Sequence, residues 1–96
     1  MLGISGQFLD SMTGRFYGLP RGEYVGSLNT EHAYNSGLRA GDVIVAVDGT
    51  ELISDAVLRS LVNARKPGEV VTLTVYRPAS GEMLEVRLTL SEYNGE

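Results

Sequence analysis

The stretch that decides the fold is Ser36-Gly37-Leu38-Arg39-Ala40-Gly41-Asp42-Val43-Ile44-Val45-Ala46-Val47-Asp48-Gly49. It contains the apolar and largely β-branched run Val43–Val47, which is typical of a strand buried on both faces. Asp48-Gly49 follows at once, and this pair tolerates the positive φ angles of a tight turn. Gly37 is suited to end a short preceding helix in the left-handed conformation. The stretch therefore predicts helix, strand and turn in close succession.

Upstream of this stretch the sequence predicts two strands and little helix. Residues 1–9 alternate loosely between apolar and polar side chains, which indicates a tight loop entering a short strand. Residues 10–17 are typical of a surface turn with a poor, short helix. A second strand is predicted over residues 23–28, and residues 29–35 have room for one or two helical turns.

Downstream, one helix and one hairpin are predicted. Ser54 is a good N-cap for a helix over residues 55–65. The hairpin has strands over residues 70–76 and 83–90, joined by a turn at residues 78–81. Short connections between strands favour an antiparallel arrangement. The fold class is therefore α+β, mainly β: an antiparallel partial barrel of five or six strands capped by two helices.

The chain has 96 residues, a net charge of -4 and no cysteine. This length corresponds to a single domain over residues 1–96, and we expect a frayed tail over residues 92–96. The charge balance shows no basic stripe for a nucleic-acid partner. No apolar run is long enough to insert this domain into a membrane.

The residues that could carry catalysis or bind a metal are sparse. His32 is the only imidazole, and no serine lies in a nucleophile-elbow pattern, so we expect no catalytic residue in this chain. One histidine and scattered carboxylates cannot supply a tetrahedral zinc site, and no phosphate-binding glycine loop is present, so we expect no metal and no cofactor. The carboxylates are expected in turns or caps, bonded to nearby backbone, at Glu23, Asp42, Asp48 and Asp55.

The predicted helix carries more apolar surface than a surface helix needs. At about 100° per residue its apolar side chains fill an arc of roughly 160°, wider than the usual ~100° stripe. One interpretation is a helix that is buried a little more deeply than usual. The other is that Leu58 and Val62 point inward while Val57, Leu61 and Ala64 line something else.

The stretch at residues 36–49 resembles the PDZ domain of bacterial HtrA-type, trypsin-like serine proteases. It matches the pattern A-G-L-x-x-G-D-x-I-x-x-V-D-G at every position except Ser36, which replaces alanine. The resemblance continues through residues 54–65, 67–68 and 71–77 and reaches back to residues 17–25. It implies a PDZ-like partial barrel that binds an extended peptide by adding it as a strand to an open sheet edge.

The same resemblance implies a set of peptide-binding residues. Leu2-Gly3-Ile4 is similar to the loop that receives the terminal carboxylate of the peptide. The edge strand that pairs with the peptide is then formed by Ser5, Gly6, Gln7 and Phe8. The side-chain pockets are then lined by Val57, Leu61 and Ala64. The resemblance implies a preference for an apolar last residue, and Val57 predicts an apolar preference two residues before it.

These expectations combine into one leading function. The chain is predicted to be a non-catalytic peptide-binding module of an HtrA-type serine protease, recognising C-termini or extended segments of misfolded proteins and regulating or loading a protease domain outside this chain. By resemblance the location is the periplasm or cell envelope of a bacterium. Two alternatives stay open: a PDZ module of another host (a processing or intramembrane protease, or a secretion component), or a structural or oligomerisation module with no peptide ligand.

Overall fold

The computed structural model describes residues 1–92 as one sheet and three helices. In chain order the elements are β1 (Ile4–Leu9), α1 (Ser11–Tyr17), β2 (Gly22–Leu28), α2 (Glu31–Asn35), β3 (Val43–Val47), β4 (Thr50–Glu51), α3 (Asp55–Asn63), β5 (Val70–Arg77) and β6 (Glu82–Thr89). The predicted fold class is confirmed, with six strands. Two helices were expected, and α1 is the third.

Every strand pairs with its neighbours in antiparallel fashion, in the order β1-β2-β3-β5-β6. The short strand β4 pairs with β3 off this path. Among residues 1–92, β1 therefore has one hydrogen-bonded neighbour and lies at an edge of the sheet. An edge strand carries unused backbone donors and acceptors.

Local signals explain why α1 forms despite its poor composition. The Asp10 side chain accepts a hydrogen bond from the Thr13 N–H at 2.8 Å, which caps the first turn. Gly18 closes the helix in the left-handed conformation, at φ +71°.

No helix within residues 1–92 is long and apolar enough to cross a membrane.

The helix α3 begins as predicted and ends earlier. Ser54 Oγ accepts a hydrogen bond from the Val57 N–H at 3.3 Å, as expected of an N-cap. The helix was predicted to reach Arg65 but ends at Asn63. The Arg65 N–H bonds to the carbonyl of Val62, three residues back, because the last turn tightens.

The core joins side chains of the sheet to side chains of α2, α3 and the connecting loops. Its fully buried side chains come from β2, β3, β5 and β6, from the loop before β3 and from the segment after β4; they include Val25, Leu38, Ile44, Leu52, Leu73 and Leu88. The hairpin turn after β3 is confirmed, with Asp48 at φ +49° and Gly49 at φ +82°.

A buried ion pair, which sequence reasoning missed, joins the start of β3 to the end of β5. Asp42 is 1% exposed and accepts two hydrogen bonds from the Arg77 guanidinium, at 2.9 and 2.8 Å. The same guanidinium donates to the carbonyl of Gly37 at 3.0 Å. The Asp42 carboxylate also accepts from the Arg39 N–H. The pair therefore fixes the loop before β3 to the sheet.

The two ends of the described chain lie together. The Ser91 N–H donates to the Met1 carbonyl at 2.9 Å, and the Met1 amino group donates to the Ser91 carbonyl at 2.6 Å. This pairing holds the segment before β1 against the end of β6. Of the tail expected over residues 92–96, Glu92 is exposed and residues 93–96 lie outside the described residues.

Candidate functional site

The outer edge of β1 presents backbone groups to an open side. The Asn29 N–H donates to the Gly3 carbonyl at 2.7 Å, next to the cross-strand pair of Ile4 and Leu28. In antiparallel sheets such a bond flanks a non-hydrogen-bonded pair. The N–H and C=O of Ile4 therefore point away from β2, toward the free edge.

The same alternation holds further along β1, beyond an irregularity between Ser5 and Gly6. Gly6 pairs with Val25, whose N–H and C=O are already bonded on the other side, to Asp42 and Gly41 at 2.8 Å each. The backbone groups of Gly6 therefore also face the free edge, and those of Phe8 follow by the same period.

Glycine is required at Gly6 by a close approach of the neighbouring strand. A Cβ added at this position would lie 1.8 Å from the carbonyl oxygen of Tyr24. The narrow backbone keeps β1 tightly paired to β2 at the centre of its length.

The segment before β1 is a tight loop held in place by packing. Gly3 has φ +79°, and a Cβ there would lie 2.1 Å from Thr30 Oγ1, the N-cap of α2. Glycine at this position is therefore required by the backbone conformation and by contact with α2. The N–H groups of Leu2 and Gly3 have no hydrogen-bond acceptor within residues 1–92. With the outward N–H of Ile4 they form a run of free donors that suits an anion.

A cavity of about 470 Å³ lies between this loop and α3. We call it the β1–α3 groove, and it is lined by Met1, Leu2, Gly3, Ile4, Glu23, Asp55, Leu58, Arg59, Val62, Asn63, Arg65 and Pro67. Its volume is within the range of small-ligand sites. Its lining combines apolar side chains from the loop and from α3 with charged side chains from β2, from α3 and from Arg65.

The structure brings together part of the predicted site. Leu2, Gly3 and Ile4 line the β1–α3 groove, as the resemblance implied. The segment from Ser5 to Phe8 forms the edge strand but does not line the cavity, and Gln7 lines a separate cavity on the opposite face of the sheet.

The helix side of the groove differs from the predicted one. Val57 and Leu61 are half-buried against the core and Ala64 is exposed, and none of the three lines the groove. The wide apolar arc is real, but the groove lies at its other margin, where Leu58 and Val62 are. The arc alone could not show which margin faces β1, because both margins are apolar. The apolar preference expected two residues before the peptide end rested on Val57 lining the groove, which it does not do.

Sequence reasoning also missed Glu23. It begins the strand predicted over residues 23–28 and lies within β2, but its carboxylate, expected in a turn or cap and bonded to nearby backbone, is instead buried: Glu23 is 8% exposed and lines the groove. Its Oε1 is buried without a hydrogen-bond partner among the described residues. Burial raises the pKa of the Glu23 carboxyl, and the nearby Asp55 carboxylate raises it further. In a strand, side chains two residues apart lie on the same face, so the apolar Val25 on the inner face also places Glu23 there. This alternation could have predicted the inward position of Glu23 from the sequence.

No cluster among residues 1–92 brings together three histidine, cysteine, aspartate or glutamate side chains in a way that could hold a metal ion. His32 is exposed at the start of α2. The groove combines outward backbone groups along β1, a loop whose Leu2 and Gly3 N–H groups have no acceptor within residues 1–92, and a partly apolar cavity beside them.

The edge strand β1, the tight loop before it and the helix α3 together border the β1–α3 groove. The family model of the PDZ domain matches residues 2–90, and the chain belongs to this family.

Its relatives in sequence are HtrA-type serine proteases. The chain is 34% identical over 93 residues to the periplasmic pH-dependent serine endoprotease DegQ of Escherichia coli, covering 94% of this chain and 20% of that protein. It is 36% identical over 88 residues to a probable periplasmic serine endoprotease, DegP-like, of Pseudomonas fulva, covering 88% of this chain and 18% of that protein. The chain thus spans about a fifth of the length of these relatives.

Solved structures share the fold. An HtrA-type protease, AlgW with decapeptide, superposes with a TM-score of 0.77 at 23% identity, covering 95% of this chain and 28% of that one. An aminopeptidase N family protein from Idiomarina loihiensis gives a TM-score of 0.74 at 24% identity, covering 95% of this chain and 14% of that one. The same fold therefore occurs in different hosts.

Proposed function

We propose that this chain is the peptide-binding PDZ module of an HtrA-type serine protease. In this proposal it recognises C-termini or extended segments of substrate proteins by strand addition to β1. The protease domain that it regulates or loads lies outside this chain. The module itself performs no catalysis.

The observation that carries the proposal is the position of the free edge relative to the loop and α3. The outward backbone groups of Ile4, Gly6 and Phe8 match the hydrogen-bonding period of an added antiparallel strand. At one end of this row the N–H groups of Leu2 and Gly3 are free to receive a carboxylate. A peptide added in this way would end at the loop and run along the groove.

The lining of the groove sets the preference for the last residue of the peptide. Ile4, Leu58 and Val62 form an apolar surface close to the loop. A small aliphatic side chain at the end of the peptide would bury its surface there. One short strand, one carboxylate and one pocket make a small interface, so we expect micromolar binding, about -8 kcal/mol.

The relatives support the host and the location that form part of the proposal. Two of the similar proteins are named periplasmic serine endoproteases. A module of such a protein would meet misfolded or exposed chain ends in the bacterial envelope. The likeness to an aminopeptidase N family protein shows only that the fold can serve another host.

The proposal is tested by titrating the isotopically labelled chain with a short neutral peptide that ends in a free valine carboxylate. The same peptide with an amidated C-terminus is the control. We expect amide shifts at Gly3 and Ile4 with the free acid and at least tenfold weaker binding of the amide. If a folded sample binds neither peptide, the proposal is refuted, and self-association through β1 as a structural module is the function to examine next.

A further inference from the structure

The carboxyl group of Glu23 is a buried acidic group at the β1–α3 groove. It projects from the inner face of β2 and lines the β1–α3 groove while 92% of the residue's surface is buried. Its Oε1 has no hydrogen-bond partner among residues 1–92. Buried polar atoms in folded proteins are nearly always hydrogen-bonded, so an unpartnered carboxyl oxygen in a cavity calls for a donor from outside the described residues.

The two arginines that line the groove do not supply that donor. The Arg59 guanidinium bonds to the Asp55 carboxylate at 2.8 Å, one turn earlier on α3. The Arg65 guanidinium bonds to Asp48 and lies 3.7 Å from a Glu69 carboxylate oxygen. Both cations are therefore paired with carboxylates other than that of Glu23.

A second acidic group faces Glu23 across the groove. Asp55 lies at the start of α3, lines the same cavity, and is close enough to raise the pKa of the Glu23 carboxyl beyond the effect of burial. The pair of Asp55 and the exposed Arg59 is screened by water, so it only partly cancels this negative field. A cationic side chain placed between the two carboxylates would satisfy both.

We propose that Glu23 makes the groove selective for peptides that carry a lysine or arginine on the groove-facing side, two or four residues before the free carboxylate. The inference rests on the peptide-binding function proposed above. It reverses the apolar preference expected two residues before the peptide end.

The position along the peptide follows from strand geometry. Glu23 is the cross-strand partner of Phe8, four residues along β1 from Ile4, where the peptide would end. Side chains of an added strand alternate between faces, so the residues two and four before the last one share its face. Gly6 has no side chain to block that space between Ile4 and Phe8. A lysine three residues before the end would point away from Glu23.

The test compares four peptides that end in a free valine carboxylate: one neutral, and three with a single lysine two, three or four residues before the end. Dissociation constants are measured by fluorescence anisotropy at about 0.15 M salt, where charges far apart are screened. For the lysine at the second or fourth position we expect at least fivefold tighter binding than for the neutral peptide. For the lysine at the third position we expect a gain below twofold.

Two matched variants assign the gain to one carboxylate. In Glu23→Gln the ratio of neutral to lysine-peptide dissociation constants should fall to about one. Glu85→Gln removes the same charge from an exposed position of β6 and should keep the ratio of the parent chain.

The outcomes separate the inference from the function beneath it. Equal gains at all three lysine positions, or a gain that persists in Glu23→Gln, would overturn the inference while the peptide-binding function stands. Binding of the neutral peptide with no gain for any lysine would overturn it as well. If none of the four peptides binds, both proposals fail. The positional comparison uses the parent chain and does not depend on the folding of any variant.

Discussion

If the chain binds a peptide as proposed, two substitutions two residues apart decide which side of α3 contacts it. Val62 is half-buried and lines the β1–α3 groove, whereas Ala64 is exposed and lies outside it. Val62→Glu and Ala64→Glu add the same negative charge close to the same helix end. Any general effect of charge or of the helix dipole is therefore similar for both variants.

The expected magnitude follows from what the peptide loses at Val62. Contact with a valine side chain contributes about 1.5 kcal/mol through apolar burial. A carboxylate placed near the terminal carboxylate of the peptide adds a repulsion of about 1 kcal/mol at a few ångströms in water. Together these terms amount to about 2.5 kcal/mol, or roughly 60-fold in the dissociation constant. For Ala64→Glu we expect a change below twofold.

The assay is titration of a labelled free-acid peptide into each variant, after urea denaturation has shown that both are folded at the working temperature. A large loss for Val62→Glu with little change for Ala64→Glu supports the groove described above. Equal losses, or a larger loss for Ala64→Glu, would refute it and favour the opposite margin of the helix as the binding face.

Three further expectations concern the parts that hold the site. Arg77→Met leaves the buried carboxylate of Asp42 without its cation and should lower the free energy of unfolding, measured by urea denaturation, by about 3–5 kcal/mol. As the control, Arg21→Met breaks an exposed ion pair and should lower it by less than about 1 kcal/mol. Similar losses for both variants would contradict the role given to the buried pair. The folded-state pKa of Glu23 is raised from 4.5, so the folded chain holds this proton more tightly than the unfolded chain, and stability is lost as pH rises from about 4.5 through the raised value. Glu23→Gln should therefore gain stability relative to the parent chain over that window. A difference in unfolding free energy between the two chains that stays constant from pH 4 to 7 would argue against this. Gly3→Ala meets both an unfavourable φ and the N-cap hydroxyl of α2, so it should weaken free-acid peptide binding at least tenfold; unchanged binding would show that the loop conformation does not matter.

Much of the fold could be predicted because its signals are local. The β-branched run of β3, the Asp48-Gly49 turn and the Ser54 cap each specify their own conformation, and all three are observed. The two-residue strand β4 and the guanidinium of Arg77 over Asp42 depend on contacts between distant segments. A short-range sequence pattern does not predict contacts of this kind.

Of the predicted site residues, those of the loop lie at the groove and those of the helix do not. The stretch from Leu2 to Ile4 carries a motif, and the structure places it at the groove. On α3, apolar side chains cover both margins of the inner face, so the hydrophobic pattern could not choose between them. Glu23 was interpreted by its residue type, as a carboxylate expected in a turn, although its strand period already placed it beside Val25 on the inner face.

The central claim is that a peptide adds to the free edge of β1, and amide hydrogen exchange along this strand tests it most directly. Ile4, Gly6 and Phe8 have outward N–H groups, whereas Ser5 and Gln7 face β2. We expect a saturating free-acid peptide to slow exchange at the first three amides and to leave the other two nearly unchanged. Protection without this alternation, or protection confined to another strand, would contradict strand addition at β1.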